Sequence, residues 1–200
     1  LALASIANSN GSQSAQPSAS KSEIKLLPAS YEIIETPTLV MLITDMVMEL
    51  IKINDKIALH QNQLTRFHSR SPPHISVYSY LQRLVTHAHL SPPILLSMVY
   101  YIDQLSDMYP AFTVTSLTIH RFLIVSATVA SKSLSDAFWT NKTYAKIGGI
   151  SPAELALLEL DFLFRVKWQV VPNPEILVEY YHHLVERCEG FEIESHALRD

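Results

Sequence analysis

Two hundred residues, 48% hydrophobic and 17% charged, suit one globular domain with a tail and exclude a wholly disordered chain. Four glycines, with neither GxGxxG nor GxxxxGK(S/T), exclude a Gly-rich phosphate cradle, and the single cysteine, Cys188, excludes an internal disulfide framework and a multi-cysteine zinc site. Fifteen Lys and Arg against nineteen Asp and Glu give a net charge of −4, the wrong sign for gripping nucleic acid through its phosphates, so a protein partner is expected instead.

Residues 1–30 read as a disordered leader, because Ser5 to Ser22 is rich in Ser, Ala, Asn and Gln and has almost no apolar bulk to offset chain entropy. No basic stretch precedes an apolar run at its start, so no secretion signal is expected. Residues 31–60 hold an amphipathic helix. Asp45, Glu49 and Lys52 line one face of Leu39 to Ile53, and Leu39, Ile43, Met46, Val47, Leu50 and Ile51 fill the other. Those charges interrupt the segment well short of the roughly 20 apolar residues of a bilayer span, and no membrane partner is expected.

From there the chain reads as helix after helix. Ile75 to His87 carries Val77, Tyr80, Leu81 and Leu84 at helical spacing. Ser91-Pro92-Pro93 offers a capping Ser and first-turn prolines for a second helix reaching about Met108. A third, from about Thr115 to Lys132, is apolar or small on nearly every side and should be the central, surrounded one. A short helix from Asn141 to Ile147 stops at Gly148-Gly149. Ser151-Pro152-Ala153-Glu154 is a capping box, Ser151 accepting from the backbone near Glu154 and Glu154 reaching back to Ser151. Its helix runs to about Arg165, and an extended Trp168 to Val171 leads to Pro172. Asn173-Pro174-Glu175 then caps a last helix ending before Gly190. The class is all-α: five short helices around a central third one, with an extra helix before and another after.

Catalytic and metal chemistry find no footing in these residues. His87 and His89 lie two apart and His182 and His183 are adjacent, whereas helical metal pairs use spacings of three or four. No Ser sits in a nucleophile elbow. Neither a catalytic residue nor a metal or other cofactor is expected. Arg66, His68 and Arg70 form a basic cluster that suits either phosphate binding or fixing of the chain entry. Lys132 reads as a helix-end cation, Glu159 as a solvated carboxylate, and Asp136 equally as an N-cap or a contact residue. Phe138 and Trp139, in a connection, fit a contact patch or a plug at the bundle end.

Six segments carry a resemblance that periodicity does not supply: Thr65-Arg66-Phe67-His68-Ser69-Arg70, Tyr100-Tyr101-Ile102-Asp103, Ser116 to Leu123, Ala130-Ser131-Lys132, Tyr144 to Gly149, and Glu159-Leu160-Asp161-Phe162-Leu163. In this order they resemble the cyclin box, spanning residues 64–172, of the fungal phosphate-response cyclins. Residues 173–200 then form a C-terminal helix and tail. The resemblance implies a single five-helix cyclin-box domain acting as a non-catalytic activator of a cyclin-dependent protein kinase. Lys132 and Glu159 match the pair with which cyclins hold the kinase's regulatory helix, a polar clamp in which an ammonium donates to backbone carbonyls at a helix C-terminus and a carboxylate accepts from amide N–H groups at an N-terminus. Asp136 is similar to a carboxylate that meets a kinase arginine near the activation segment, and Phe138 stands beside it at the contact. Asp103 matches a fold-supporting acidic position with Arg83 as its expected mate, and Ser151 and Glu154 are structural through the capping box. The family also implies a transcription-factor substrate, an ankyrin-repeat inhibitor, phosphate-starvation signalling, and residence in the nucleus with the cytoplasm second. Gln104-Leu105 after Asp103, and the lack of a Met-Arg-Ala-Ile-Leu stretch in the first helix, depart from cell-cycle cyclins and disfavour their substrate groove. A helical adaptor or transcription-factor core with a cyclin-like fold remains the alternative.

Overall fold

A computed structural model describes residues 24–57 and 64–194. Seven α-helices lie within them: α1 (Thr36–Asn54), α2 (Val77–Ala88), α3 (Pro92–Met108), α4 (Ile119–Leu134), α5 (Asn141–Gly148), α6 (Pro152–Arg165) and α7 (Pro174–Glu186). Helix α4 is the axis, with twelve of its 16 residues buried. Ser126, Ala127, Thr128, Ala130 and Ser131 keep its flanks small, so α2, α3, α5 and α6 all reach it. Phe122 and Phe112 fill one end of the core, Phe122 lying between Phe112 and Phe162 with ring centroids 5.4 and 6.3 Å away.

The caps follow local chemistry with four departures from expectation. Ser76, Thr140 and Ser151 accept from the backbone N–H three residues on, at 3.1, 3.4 and 3.1 Å. Ser91 and Asn173 make no such bond; prolines at the first helical positions supply those starts instead, having no N–H to satisfy. Helix α4 begins at Ile119, four residues after Thr115. The Thr118 hydroxyl accepts from Thr115 N–H (2.9 Å) and donates to the Thr113 carbonyl (2.6 Å), closing a turn there. Glu154 does not complete the capping box, because its carboxylate pairs with Arg121 on α4.

Two short strands complete the described chain. β1 (Lys25–Leu27) and β2 (Phe191–Ile193) pair in parallel, Lys25 opposite Phe191. Residues 24–30, expected to belong to the leader, are instead placed in the fold: Leu27 is only 2% exposed, and Tyr181 on α7 donates to the Pro28 carbonyl at 2.7 Å. Strand pairing, the burial of Leu27 and the Tyr181 bond together hold this segment. Residues 1–23, 58–63 and 195–200 lie outside the described residues.

Past α6 the chain turns through Lys167 (φ 51°) and Trp168 (φ 61°), both left-handed, a conformation that costs non-glycine residues on the order of 1 kcal/mol each. Trp168 N–H closes the turn on the Leu163 carbonyl at 2.9 Å. The following strand-like stretch is pinned to α3, where Tyr101 donates to the Val170 carbonyl and Gln104 to that of Gln169.

Candidate functional site

The C-terminal turn of α4, the first turn of α5 and the middle of α6 meet at one point. Lys132 Nζ donates to Glu159 Oε1 at 2.6 Å, and Asn141 Nδ2 donates to Glu159 Oε2 at 2.7 Å. The two residues thus stand side by side although 27 positions separate them in the chain. The lysine side chain is 29% exposed and the glutamate 14%, so the pair is half sheltered yet reachable. Its placement is locally economical: a cation in the last turn of α4 faces the negative end of that helix, and Glu159 neighbours the first residue after the Thr140 cap of α5. Asn141 escaped sequence reasoning, since nothing in Thr140-Asn141-Lys142 marks which side chain turns inward.

Apolar side chains lie exposed on the same elements. Phe138 is 54% exposed in the α4–α5 connection. On α6, Leu157, Leu160 and Phe164 are exposed at spacings of three and four and so form one stripe; the Phe164 ring meets that of Trp168 edge to face at 6.0 Å. Trp139, 6.2 Å from the His89 ring, is half-exposed rather than a plug. Asp136 is exposed beside Phe138, and Thr140 rather than Asp136 caps α5. An ammonium donor and a sheltered carboxylate 2.6 Å apart, with surrounding apolar surface, can together hydrogen-bond one stretch of a partner's backbone while burying its side chains.

Other candidates resolve differently. Arg83 donates to the Lys146 carbonyl at 3.3 Å, and Asp103 accepts from the Tyr180 hydroxyl at 2.8 Å; the expected Arg83–Asp103 pairing is not formed, because each has a nearer partner on another helix. Arg121 was not foreseen. It bridges Glu154 and the Arg66 carbonyl, tying α6 and the 64–70 segment to the start of α4. His68 leaves the basic cluster: its Nδ1 accepts from Thr65 N–H at 3.0 Å, and burial lowers its pKa. His120, buried in α4 with Nε2 donating to the Ile75 carbonyl at 2.9 Å, is likewise lowered by burial. Among the described residues, no group of three His, Cys, Asp or Glu could hold a metal ion, and no helix is long and apolar enough to cross a membrane.

Comparison with known proteins agrees with this arrangement of helices. The Cyclin family model matches residues 2–170. The chain is similar to the Nuc-1 negative regulatory protein preg of Neurospora crassa, 56% identical over 173 residues covering 85% of this chain and 36% of that protein. It is similar to the PHO85 cyclin PHO80 of Saccharomyces cerevisiae, 44% identical over 152 residues covering 74% and 52%. Cyclin-U4-1 of Arabidopsis thaliana is 36% identical over 129 residues, 64% of either chain. The chain thus spans between about a third and two thirds of the length of these relatives.

Proposed function

The chain belongs to the cyclin family, and on that premise we propose that it is the non-catalytic regulatory subunit of a cyclin-dependent protein kinase. The observation that carries the reading is the Lys132–Glu159–Asn141 cluster, with exposed Phe138 and Leu160 next to it in the chain. Lys132 donates to backbone carbonyls and Glu159 accepts from backbone amide N–H groups of one stretch of the kinase's regulatory element, since their tips stand only 2.6 Å apart. Because Asn141 and Lys132 already orient the carboxylate, little side-chain entropy is lost on docking. The apolar neighbours supply the buried area that drives association, and the charges set register.

Activation then needs no chemistry from this chain. A surface that binds only the active arrangement of the kinase shifts the population toward it. Asp136 adds negative charge for an arginine near the activation segment, doing part of what an activation-loop phosphate would do. The relatives named as a negative regulatory protein and a PHO85 cyclin, together with the resemblance to phosphate-response cyclins, support phosphate-starvation signalling as the pathway. From the resemblance alone we also propose a nuclear location, a transcription-factor substrate and an ankyrin-repeat inhibitor.

Co-purification with a cyclin-dependent kinase, followed by assay on a Ser-Pro substrate, tests the reading. Retention together with raised phosphorylation is expected. Retention without any rise identifies an adaptor, and the absence of retention by every cyclin-dependent kinase tried overturns the assignment.

A further inference from the structure

Four Ser/Thr-Pro dipeptides lie among the described residues: Thr36-Pro37, Ser71-Pro72, Ser91-Pro92 and Ser151-Pro152. The fold treats one of them differently. Thr36 is the first residue of α1, and Ser91 and Ser151 are the N-caps of α3 and α6, so the proline of each pair lies in a helical first turn. The Ser91 and Ser151 carbonyls accept from Leu95 and Leu155 N–H, and the Ser151 hydroxyl also accepts from Glu154 N–H. Phosphoryl transfer requires the acceptor hydroxyl in line with the γ-phosphoryl inside a kinase cleft, a position that a residue built into a helix start reaches only by unwinding it.

Ser71-Pro72 stands outside every helix. Arg70, Ser71, Pro72 and His74 are exposed, and among the described residues positions 70–74 take part in no hydrogen bond. Their flanks are fixed. Ser69 N–H donates to the Leu117 carbonyl at 2.8 Å, and the Ile75 carbonyl accepts from His120 Nε2 at 2.9 Å, so the free stretch is strung between two anchors at the start of α4. Pro72 and Pro73 hold φ near about −65° and push the residue before each into extended backbone. The Ser71 hydroxyl is thus presented on an extended, exposed stretch with no secondary structure to undo.

We propose that Ser71 is a phosphorylation site for a proline-directed protein kinase. The γ-phosphoryl group of ATP passes to Ser71 Oγ: the Oγ–P bond forms as the bond from phosphorus to the β–γ bridging oxygen breaks, ADP leaves, and the hydroxyl proton goes to the kinase's base. The surroundings hold the product. Arg70 adjoins Ser71, exposed Arg66 and His74 lie close on either side in the chain, and a phosphoserine brings a charge near −2 with three acceptor oxygens, so the basic stretch becomes a paired, nearly neutral one. Because its flanks are tied to Leu117, His120 and Arg121, this charge switch acts at the start of α4, roughly 16 Å along that helix from Lys132. The site goes beyond the regulatory-subunit reading and does not rest on it, since any proline-directed kinase suffices.

Incubating the folded full chain with ATP and a proline-directed kinase that carries its own activating subunit, followed by mass spectrometry of proteolytic peptides, tests the site. Phosphate is expected at Ser71, and about tenfold less or below at Thr36, Ser91 and Ser151, whose helix starts must open first. Ser71→Ala, an exposed position, should remove the incorporation. Phosphorus NMR of the modified chain gives a second readout: the second ionisation of the phosphate, at about pH 6 in free phosphoserine, should be lowered by the arginines and return toward that value in the Arg66→Gln/Arg70→Gln variant. Incorporation that survives Ser71→Ala or falls chiefly on Ser91 or Ser151 overturns the proposal, as does none at all from a kinase active on a Ser-Pro control peptide. An ionisation that the two substitutions leave unmoved overturns the pairing with Arg66 and Arg70. Because the kinase brings its own activator, failure here is distinct from failure of the regulatory-subunit reading.

Discussion

The two ends of α4 are built alike and used differently. Each is joined to α6 by an ion pair, Arg121–Glu154 at the start and Lys132–Glu159 at the end. At the start, the guanidinium divides its donors between Glu154 and the Arg66 carbonyl, closing the fold on both sides. At the end, a single bond from the ammonium reaches Glu159, and a second donor, Asn141, steadies the carboxylate. An ammonium has three hydrogens, so the last turn of α4 can serve a partner without giving up its tie to α6. Similar charges on the same two helices thus differ in how many donors the fold itself consumes.

That contrast can be broken experimentally. Lys132→Ala should weaken kinase association by about 2–3 kcal/mol, read by calorimetric titration, because it removes a bond sheltered at the interface. Arg121→Ala should leave that association within about 0.5 kcal/mol. Equal losses from the two would erase the distinction. Between the two ends, Gly148 on α5 presses on Ile124: a Cβ there would meet Ile124 Cγ1 at 2.5 Å and Cδ1 at 2.9 Å. Gly148→Ala should cost about 2 kcal/mol of stability in denaturant titration, as buried Ile124 has little room to yield. Glu154→Gln, at a half-exposed pair, should cost about 1 kcal/mol or less.

The smallest effect is expected at His120, near the start of α4. Its Nε2 donates to the Ile75 carbonyl, so Nδ1 is a buried lone pair with no partner, and protonating it would place an N–H where no acceptor waits. Burial holds its folded pKa below the ordinary 6.5. The unfolded state therefore binds the proton first, and the His120 contribution, complete above pH 6.5, is lost as pH falls from there toward the lowered folded value. Unfolding measured from pH 7.5 to 5 should show this decline in the wild type and a shallower one in His120→Gln. A steeper slope in the variant would contradict the assignment.

Helix by helix, local signals carried the fold. Proline after a polar residue, Ser151 before Glu154, and glycine after Ile147 each act within one turn of chain, so α3, α5 and α6 are legible from their own residues. The all-round apolar character of Ile119 to Ser131 likewise announces a surrounded helix. Lys132 and Glu159 were singled out through resemblance to a family, for spacing alone leaves one a helix-end cation and the other a solvated acid.

What the sequence by itself determined is therefore the set of helices, their order and which of them is central, because caps and apolar periodicity depend on residues within about four positions of each other. Tertiary structure alone decided which polar groups meet, Arg121 with Glu154, Tyr180 with Asp103 and Asn141 with Glu159, and that apolar Leu27 enters the buried interior. Those choices depend on helix crossing and on distances between segments far apart in the chain. A carboxylate has many donors within reach in a packed bundle, and only the packing selects one.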